Sequence, residues 1–451
     1  NCKDRKMNIN KNDEFIVDII DYGADGEGIA KIDGYTIFVI GAMKNEKCKI
    51  HITKVLKTHA FAKITEIIQK SENRIEPDCK TYKRCGGCQL RHIKYEETLK
   101  IKQEKVQNLV DKMINSRLEN KIVVNNTIGM ENPLYYRNKA IFPISANGEV
   151  GIYAERSHEV VPIAECKIQT TKAQEIAKYI LKNWNSSIYD EKTGKGLLRN
   201  IMIREGFETG EIMLVLVQNG EKNTLSVEDI TRKFPEIKTI VINVNTKNTN
   251  VVLSNENIII YGNGYILDKL GDYTFKISPN SFYQVNPVQT EKLYNLAINE
   301  AKLNKNDILC DLYCGIGTIG IFASKFVKKV YGIEIVDQAI KDAKENAKIN
   351  NIDNVEFIAG DVETAFDKLL KENVKPDVII VDPPRKGLDD TTIENLNKLK
   401  LNRLVYVSCN PATLMRDLQK LMEVYEIKSI TPTDCFCYTS HVECVAVMCI
   451  K

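Results

Sequence analysis

No run of about eighteen apolar residues occurs in this 451-residue chain, so no membrane-spanning helix is expected. The formal net charge is only +3, too small by itself to mark a nucleic-acid binder. The opening residues, NCKDRKMNINKNDEF, are polar and charged, and no secretory leader is visible in them. Internal repeats and low-complexity tracts are also missing. What is present, 43% hydrophobic and 27% charged residues, suits a globular protein of two or three domains. The expectation is a cytoplasmic monomer without a membrane partner.

Thirteen cysteines, an odd number, occur in a chain without a visible leader. A disulfide scaffold does not suit a reducing compartment. Cysteines there serve as buried fillers, metal ligands or catalytic thiols.

The chain divides by rhythm into three parts. Residues 8–68 read as short strands with Gly-rich breaks, which a small β-barrel accommodates. Residues 69–274 read as a mixed α+β region, with a cysteine-bearing stretch, a helix over 93–118 and then strands such as KAIFPIS and EIMLVLVQN. Residues 275–451 alternate strand and helix, and their continuous apolar strands imply a parallel sheet covered on both faces. Such sheets bind ligands at the carboxyl ends of their strands. Between Lys80 and Lys105 the bases Lys80, Lys83, Arg84, Arg91, Lys94, Lys100, Lys102 and Lys105 outnumber Glu96, Glu97 and Glu104. Tyr82 and Tyr95 lie among them, so this run, with Arg137 and Lys139, is a candidate contact for nucleic acid; a solvated helix face is the plainer reading.

The strand DILCDLYCG runs into Gly315-Ile316-Gly317-Thr318-Ile319-Gly320, with Glu334 nineteen residues after Gly315 at the end of the next strand. Glycine lets the backbone turn sharply and lets a ligand approach, and the carboxylate suits ribose hydroxyls. This much also fits a nicotinamide dehydrogenase. The fourth strand, DVIIVDPPRKG, argues otherwise: Asp382-Pro383-Pro384-Arg385 makes a rigid loop with two amide donors removed, so carbonyls can face a planar base. Together these resemble S-adenosylmethionine-dependent methyltransferases, in which Asp361, closing VEFIAGD, holds the place of the adenine ligand.

The fifth strand ends LVYVSCNPATL. Cys409 thus shares the sheet edge with Gly315, Glu334 and Asp382, and a helix start beside it is expected to lower its pKa. A thiolate next to a methyl donor suits one chemistry in particular. Carbon 5 of uracil is a poor nucleophile until a thiolate adds to carbon 6 and makes an enolate. After methyl transfer a base must remove the carbon-5 proton before the thiol can leave. Glu443, in TSHVECVAV, is the candidate base; His441 is a second candidate that suits a local hydrogen bond better. A dehydrogenase would leave Cys409, Asp-Pro-Pro and Glu443 idle.

Upstream, CKTYKRCGGC spaces Cys79, Cys85 and Cys88 as C-x5-C-x2-C, and Cys166 of VVPIAECKI is a candidate fourth ligand. Three near thiols and one distant thiol suit either Zn²⁺ or a [4Fe–4S] cluster. The spacing does not suit a radical enzyme. Cys2, Cys48, Cys310, Cys314, Cys435, Cys437, Cys444 and Cys449 read as fillers.

DLYCGIGT, DPPRKG, VSCNPATLMRDL and HVE together resemble the RNA uracil-5-methyltransferase family, which makes 5-methyluridine in ribosomal and transfer RNA. That resemblance implies Cys409 as nucleophile, Glu443 as proton acceptor, and Gln284, Tyr313, Glu334, Asp361 and Asp382 around S-adenosylmethionine. The ribosomal-RNA branch carries a [4Fe–4S] cluster on this cysteine arrangement and an N-terminal TRAM barrel, which GADGEGIAKIDGYTIFVIGAMKNEKCKI resembles. The implied protein therefore joins a TRAM barrel, a central iron–sulfur domain and a Rossmann-like methyltransferase domain, and modifies a uridine of 23S ribosomal RNA, with transfer RNA as the alternative substrate. A non-catalytic RNA-binding iron–sulfur protein is the alternative from another class. One departure stands out: Cys437 occupies a place before Glu443 where the family usually has proline.

Overall fold

The structure, a computed structural model, describes residues 9–155 and 157–451; Cys2 lies outside the described residues. Near the N-terminus β1 (Glu14–Asp18), β2 (Asp21–Tyr22), β3 (Gly28–Ile32), β4 (Tyr35–Ile40), β5 (Lys47–Val55) and β6 (His59–Gln69) form one sheet in the order β1-β5-β6-β4-β3-β2. The strand period of two sends Ile37, Val39, Ile50 and Ile52 inward, and β1 curls back beside β3. Asp33 and Gly34, both with positive φ, make the two-residue turn that joins β3 to β4.

The middle of the chain contributes α1 (Tyr95–Met113), β7 (Lys139–Pro143), β8 (Gly151–Tyr153), β9 (Val160–Pro162), α2 (Thr171–Lys182), β10 (Leu198–Glu205), β11 (Ile212–Gln218), α3 (Val227–Lys233), β12 (Ile237–Val244) and β13 (Asn257–Tyr261). Its main sheet runs β13-β12-β11-β10-β7, with β8 and β9 as a separate hairpin. Thr170 starts α2 by accepting a hydrogen bond from the Ala173 amide at 3.1 Å. Short helix α3 escapes the sequence pattern, since among its seven residues only Ile230 is buried.

The last part holds β14 (Ile266–Leu270), β15 (Tyr273–Ile277), α4 (Pro287–Glu300), β16 (Ile308–Leu312), α5 (Thr318–Ser324), β17 (Lys329–Glu334), α6 (Asp337–Ile349), β18 (Val355–Ala359), α7 (Val362–Lys371), β19 (Val378–Val381), α8 (Asp390–Leu399), β20 (Arg403–Ser408), α9 (Pro411–Leu421), β21 (Tyr425–Thr433) and β22 (Glu443–Ile450). The large sheet runs β18-β17-β16-β19-β20-β22-β21. Its neighbours pair in parallel except β22, which lies antiparallel between β20 and β21. Strand order reverses at β16, so a cleft opens at the carboxyl ends there.

Two features cross the divisions that the rhythm suggests. A boundary at 274/275 falls inside the β14–β15 hairpin, whose Phe275 and Ile277 share a core with Leu309 and Phe322. The amides of Thr274 and Lys276 donate to Asn350, which caps the end of α6, and to Asn346 within it. Helix α1, central by sequence, packs instead on α9 and β21. Its stripe of Val106 and Val110, continued by Ile114 at its C-cap, shares a core with Leu414 and Leu418. No helix among the described residues is long and apolar enough to cross a membrane.

Because Ile114 is fully buried in that core, Ile114→Ala should lower stability by about 2–5 kcal/mol. Urea unfolding followed by circular dichroism checks it; a change below about 1 kcal/mol would mean that α1 is not docked on the C-terminal sheet.

Candidate active site at the carboxyl edge of the C-terminal sheet

The site begins with the turn after β16. Gly315 has φ +54°, and a Cβ built there would meet nothing within 4 Å, so this backbone faces open space. Gly317, at φ +82°, has no such freedom: a Cβ would stand 2.6 Å from Phe357 Cζ. The Gly320 amide donates to Asp311 Oδ2 at 2.9 Å, which pins the start of α5 to β16. Tyr313 also has positive φ, a conformation that costs a non-glycine residue about 1 kcal/mol or more, and its hydroxyl donates to Asp389.

Parallel register then aligns the neighbouring strand ends. Leu312 stands opposite Ile333 on one side and Val381 on the other, so Glu334 and Asp382 flank the turn. Glu334 accepts the Gly315 amide at 3.1 Å and the Val336 amide at 3.0 Å. Asp361 caps α7 by accepting the Glu363 amide at 2.8 Å and remains exposed at the outer end of the cleft. Gln284 arrives from the loop after β15, its carbonyl held by Asn138 at 2.9 Å and its side chain against Tyr294. The structure thus brings Gln284, Tyr313, Glu334 and Asp382 to the same cleft.

Cys409 and Glu443 come together through an antiparallel pairing. Ser408 is the register partner of Cys444, so Cys409, just past β20, and Glu443, the first residue of β22, lie opposite one another. Arg385 joins them, because the Arg385 carbonyl accepts hydrogen bonds from Asn410 and Thr413 at the start of α9.

The electrostatics correct one expectation. Burial, then the Glu443 and Asp382 carboxyls, pushes the Cys409 thiol up to about 11, against a partial pull downward by Arg385. Burial outweighs the helix start, where Pro411 has no amide hydrogen and the Ala412 amide donates to Asn410 Oδ1 at 3.1 Å. Glu443, 5% exposed, is raised to about 8 by burial and Asp382, with Arg385 and Lys102 opposing. Desolvation raises Asp382 to about 7, and burial raises Asp311 to about 8. Without ligands the cleft therefore favours neutral acids and a neutral thiol. His441 is exposed, with its ring set edge-on to Phe436.

Cys79, Cys85, Cys88 and Cys166 converge on a second place, a small cavity of about 20 Å³ that they line together with Tyr82, Arg91, Ile152 and Ile163. Among the described residues no group of three or more His, Cys, Asp or Glu is placed to hold a metal ion. Cys48, Cys310, Cys314, Cys435, Cys437 and Cys444 are buried thiols, and Cys449 is half-buried. Much of the basic run is occupied within the fold. Arg84 pairs with Glu159, Arg91 with Asp78 and Lys102 with Asp434, while Lys105 donates to the Ser440 carbonyl. The run as a unit is therefore not an open basic face.

Three residues beyond the sequence-derived set shape the site: Arg385, Asp311 and Tyr294. Arg385 and Asp311 lie inside the motifs themselves, DPPRKG and DLYCG. Tyr294 has no sequence signal, since its place beside Gln284, Asp382 and Glu443 arises only when α4 packs.

A sheet of this order, with a glycine turn and acidic strand ends at its switch point, defines an S-adenosylmethionine-dependent methyltransferase fold. The family model for tRNA (uracil-5-)-methyltransferases matches residues 221–451, and that for the TRAM domain matches residues 11–65. An uncharacterized RNA methyltransferase of Clostridium acetobutylicum is 45% identical over 98% of both chains, and one of Staphylococcus aureus is 43% identical over 98% of this chain and 99% of its own. The crystal structure of the tRNA (uracil-54, C5)-methyltransferase of Pyrococcus abyssi with S-adenosyl-L-homocysteine superposes with a TM-score of 0.76 at 28% identity, covering 96% of this chain and 99% of that one. The chain belongs to the RNA uracil-5-methyltransferase family and is an S-adenosylmethionine-dependent RNA methyltransferase.

The raised carboxyls set the sign of a pH effect. Glu443 holds its proton up to about pH 8 when folded but releases it near 4.5 when unfolded. The folded state thus binds more protons in that window, and stability contributed by the neutral acid is lost as pH rises through it. The urea midpoint of the ligand-free protein should fall between pH 5 and 8, and Glu443→Gln should flatten the trend; an unchanged slope would count against the burial of Glu443.

Proposed function

We propose that the protein methylates carbon 5 of a uridine in 23S ribosomal RNA, with Cys409 as nucleophile and Glu443 as proton acceptor. The observation that carries this reading is the β20–β22 register, which sets thiol and carboxyl opposite each other at the ligand edge of the sheet. The Cys409 thiolate adds to carbon 6 of the uracil, and the ring electrons move to carbon 5. S-adenosylmethionine supplies the methyl group on a sulfonium and suits the open side of Gly315, with Gln284, Tyr313, Glu334, Asp361 and Asp382 as its contacts. Ionised Glu443 then takes the carbon-5 proton; that bonding pair restores the 5,6 double bond and expels the thiolate. Positive charge is what the cleft needs before Cys409 ionises, since burial and two carboxyls oppose it while Arg385 and a backbone hydrogen bond only partly favour it.

The four converging thiols support a [4Fe–4S] cluster held by Cys79, Cys85, Cys88 and Cys166. A single Zn²⁺ gathers its sulfurs about 2.3 Å from one point. A cubane offers one iron to each thiolate, which suits four thiols lining one cavity. Methyl transfer requires no electron, so the cluster's part is to organise the region that grips RNA.

RNA contact draws support from the TRAM match and from two half-buried cations of the central domain, Arg137 and Lys139, with Arg204 buried beside them. Lys139 pairs in register with Arg204, and Arg137 lies two residues before it. Burial and both guanidinium groups push Lys139 down to about 7. The target uridine must leave its stack to reach Cys409, at a cost of a few kcal/mol. A transfer-RNA substrate is the second reading, favoured by the likeness to the tRNA (uracil-54, C5)-methyltransferase of Pyrococcus abyssi. Incubation with labelled S-adenosylmethionine and total RNA from a strain lacking the protein, followed by mapping of the label, decides between them.

Cys409→Ala should abolish turnover, by about four orders of magnitude or more, while leaving S-adenosylmethionine affinity unchanged in calorimetry. Glu443→Gln should instead accumulate a covalent protein–RNA adduct on denaturing gels; free exchange of the RNA would remove Glu443 from its role. Phosphate binding requires protonated Lys139, so RNA affinity should fall as pH rises from 6 to 8. Lys139→Met should remove that dependence and reduce the salt slope by about one.

A further inference from the structure

Nine residues separate β21 from β22, and this connection determines where Glu443 begins its strand. Cys437 stands where a ring would stiffen the loop, so its rigidity has another source. Asp434, 0% exposed, lies 2.5 Å from Lys102 Nζ, which is 1% exposed. The same ammonium donates to the Phe436 carbonyl at 3.1 Å, and the Tyr95 hydroxyl donates to the other Asp434 oxygen at 2.8 Å. Both tethers come from α1, whose docking on α9 and β21 fixes them relative to the sheet. On the far side of the loop the Gln89 and Leu90 amides both donate to the Tyr438 carbonyl.

Such a pair is weak evidence of stabilisation, because desolvating two charges offsets most of their attraction. Its geometric content is greater. One cation holds a carboxylate and a carbonyl two residues apart, and a slip of the loop by one residue would turn Glu443 to the other face of the sheet.

We propose that Lys102, Asp434 and Tyr95 are positioning residues for proton removal, locking the 434–442 loop so that the Glu443 carboxyl meets carbon 5 of the adduct. This rests on the reading of Glu443 as proton acceptor. None of the three needs to touch RNA or the methyl donor.

The test uses the full chain, labelled S-adenosylmethionine and total RNA from a strain lacking the protein. Lys102→Met/Asp434→Leu replaces the ion pair by apolar groups without stranding a charge. Its kcat should fall about a hundredfold, with KM for RNA within about twofold and a methylated covalent adduct building up during turnover. Lys102→Arg, which keeps the charge, should recover most of the rate. Tyr95→Phe removes one hydroxyl only, and should slow adduct release about tenfold; it carries the test if the double variant does not fold. Wild-type kcat in the folded double variant, or in Tyr95→Phe when that variant stands alone, overturns the proposal, as does a change confined to KM. Glu443→Gln in parallel separates the two claims. If it traps adduct while the loop variants turn over normally, only the positioning role falls; if it traps none, the assignment of Glu443 falls and the positioning role with it.

Discussion

The antiparallel insertion of β22 between β20 and β21 is the constraint on which the rest of the site depends. A fully parallel sheet would bring every carboxyl end to the cleft and every amino end to the opposite side. Reversing one strand brings an amino end, Glu443, to the edge where Cys409 leaves its own strand. Two groups distant in sequence thereby become cross-strand neighbours, with no loop required to span between them. Backbone hydrogen bonds, rather than side-chain packing alone, determine their separation.

That placement has an electrostatic consequence. Glu443, Asp382 and Asp311 all favour the protonated form, and the Cys409 thiol is held up as well. A cleft lined with desolvated acids has a reason to take a cation, and Arg385 is the side chain of opposite sign that acts on both Cys409 and Glu443. The reactive groups are quiescent in the ligand-free enzyme for the same reason that they are aligned: both are set into a tightly packed sheet edge.

The cysteine-bearing segment is joined to this edge more closely than its place in the sequence suggests. Gln89 and Leu90, directly after Cys88, hydrogen-bond the loop that precedes Glu443, and Arg91 lies over the ring of Tyr438 at 4.5 Å. Helix α1 follows at once and docks on the methyltransferase core. The thiol cavity and the cleft thus share a mechanical frame. The basic residues along that stretch serve this frame through Asp78, Asp434 and Ser440, which is why their charge density did not translate into an open surface.

Local chemistry was legible in the chain by itself. The glycine turn, the Asp-Pro-Pro loop, the Ser-Cys-Asn-Pro break and the apolar strands each depend on neighbours a few residues away, so their pattern survives in one dimension. The alternating rhythm after residue 275 likewise announced a parallel sheet, and the cysteine spacing announced a thiol-rich site. Tertiary structure decided what distance along the chain conceals: the docking of α1 on the C-terminal sheet, the hairpin that straddles 274/275, the burial that raises the Cys409 thiol and the company of Tyr294. Each arises from burial against residues far away in sequence. Periodicity reveals that a face must be buried, but not what will cover it, and a pKa follows the covering.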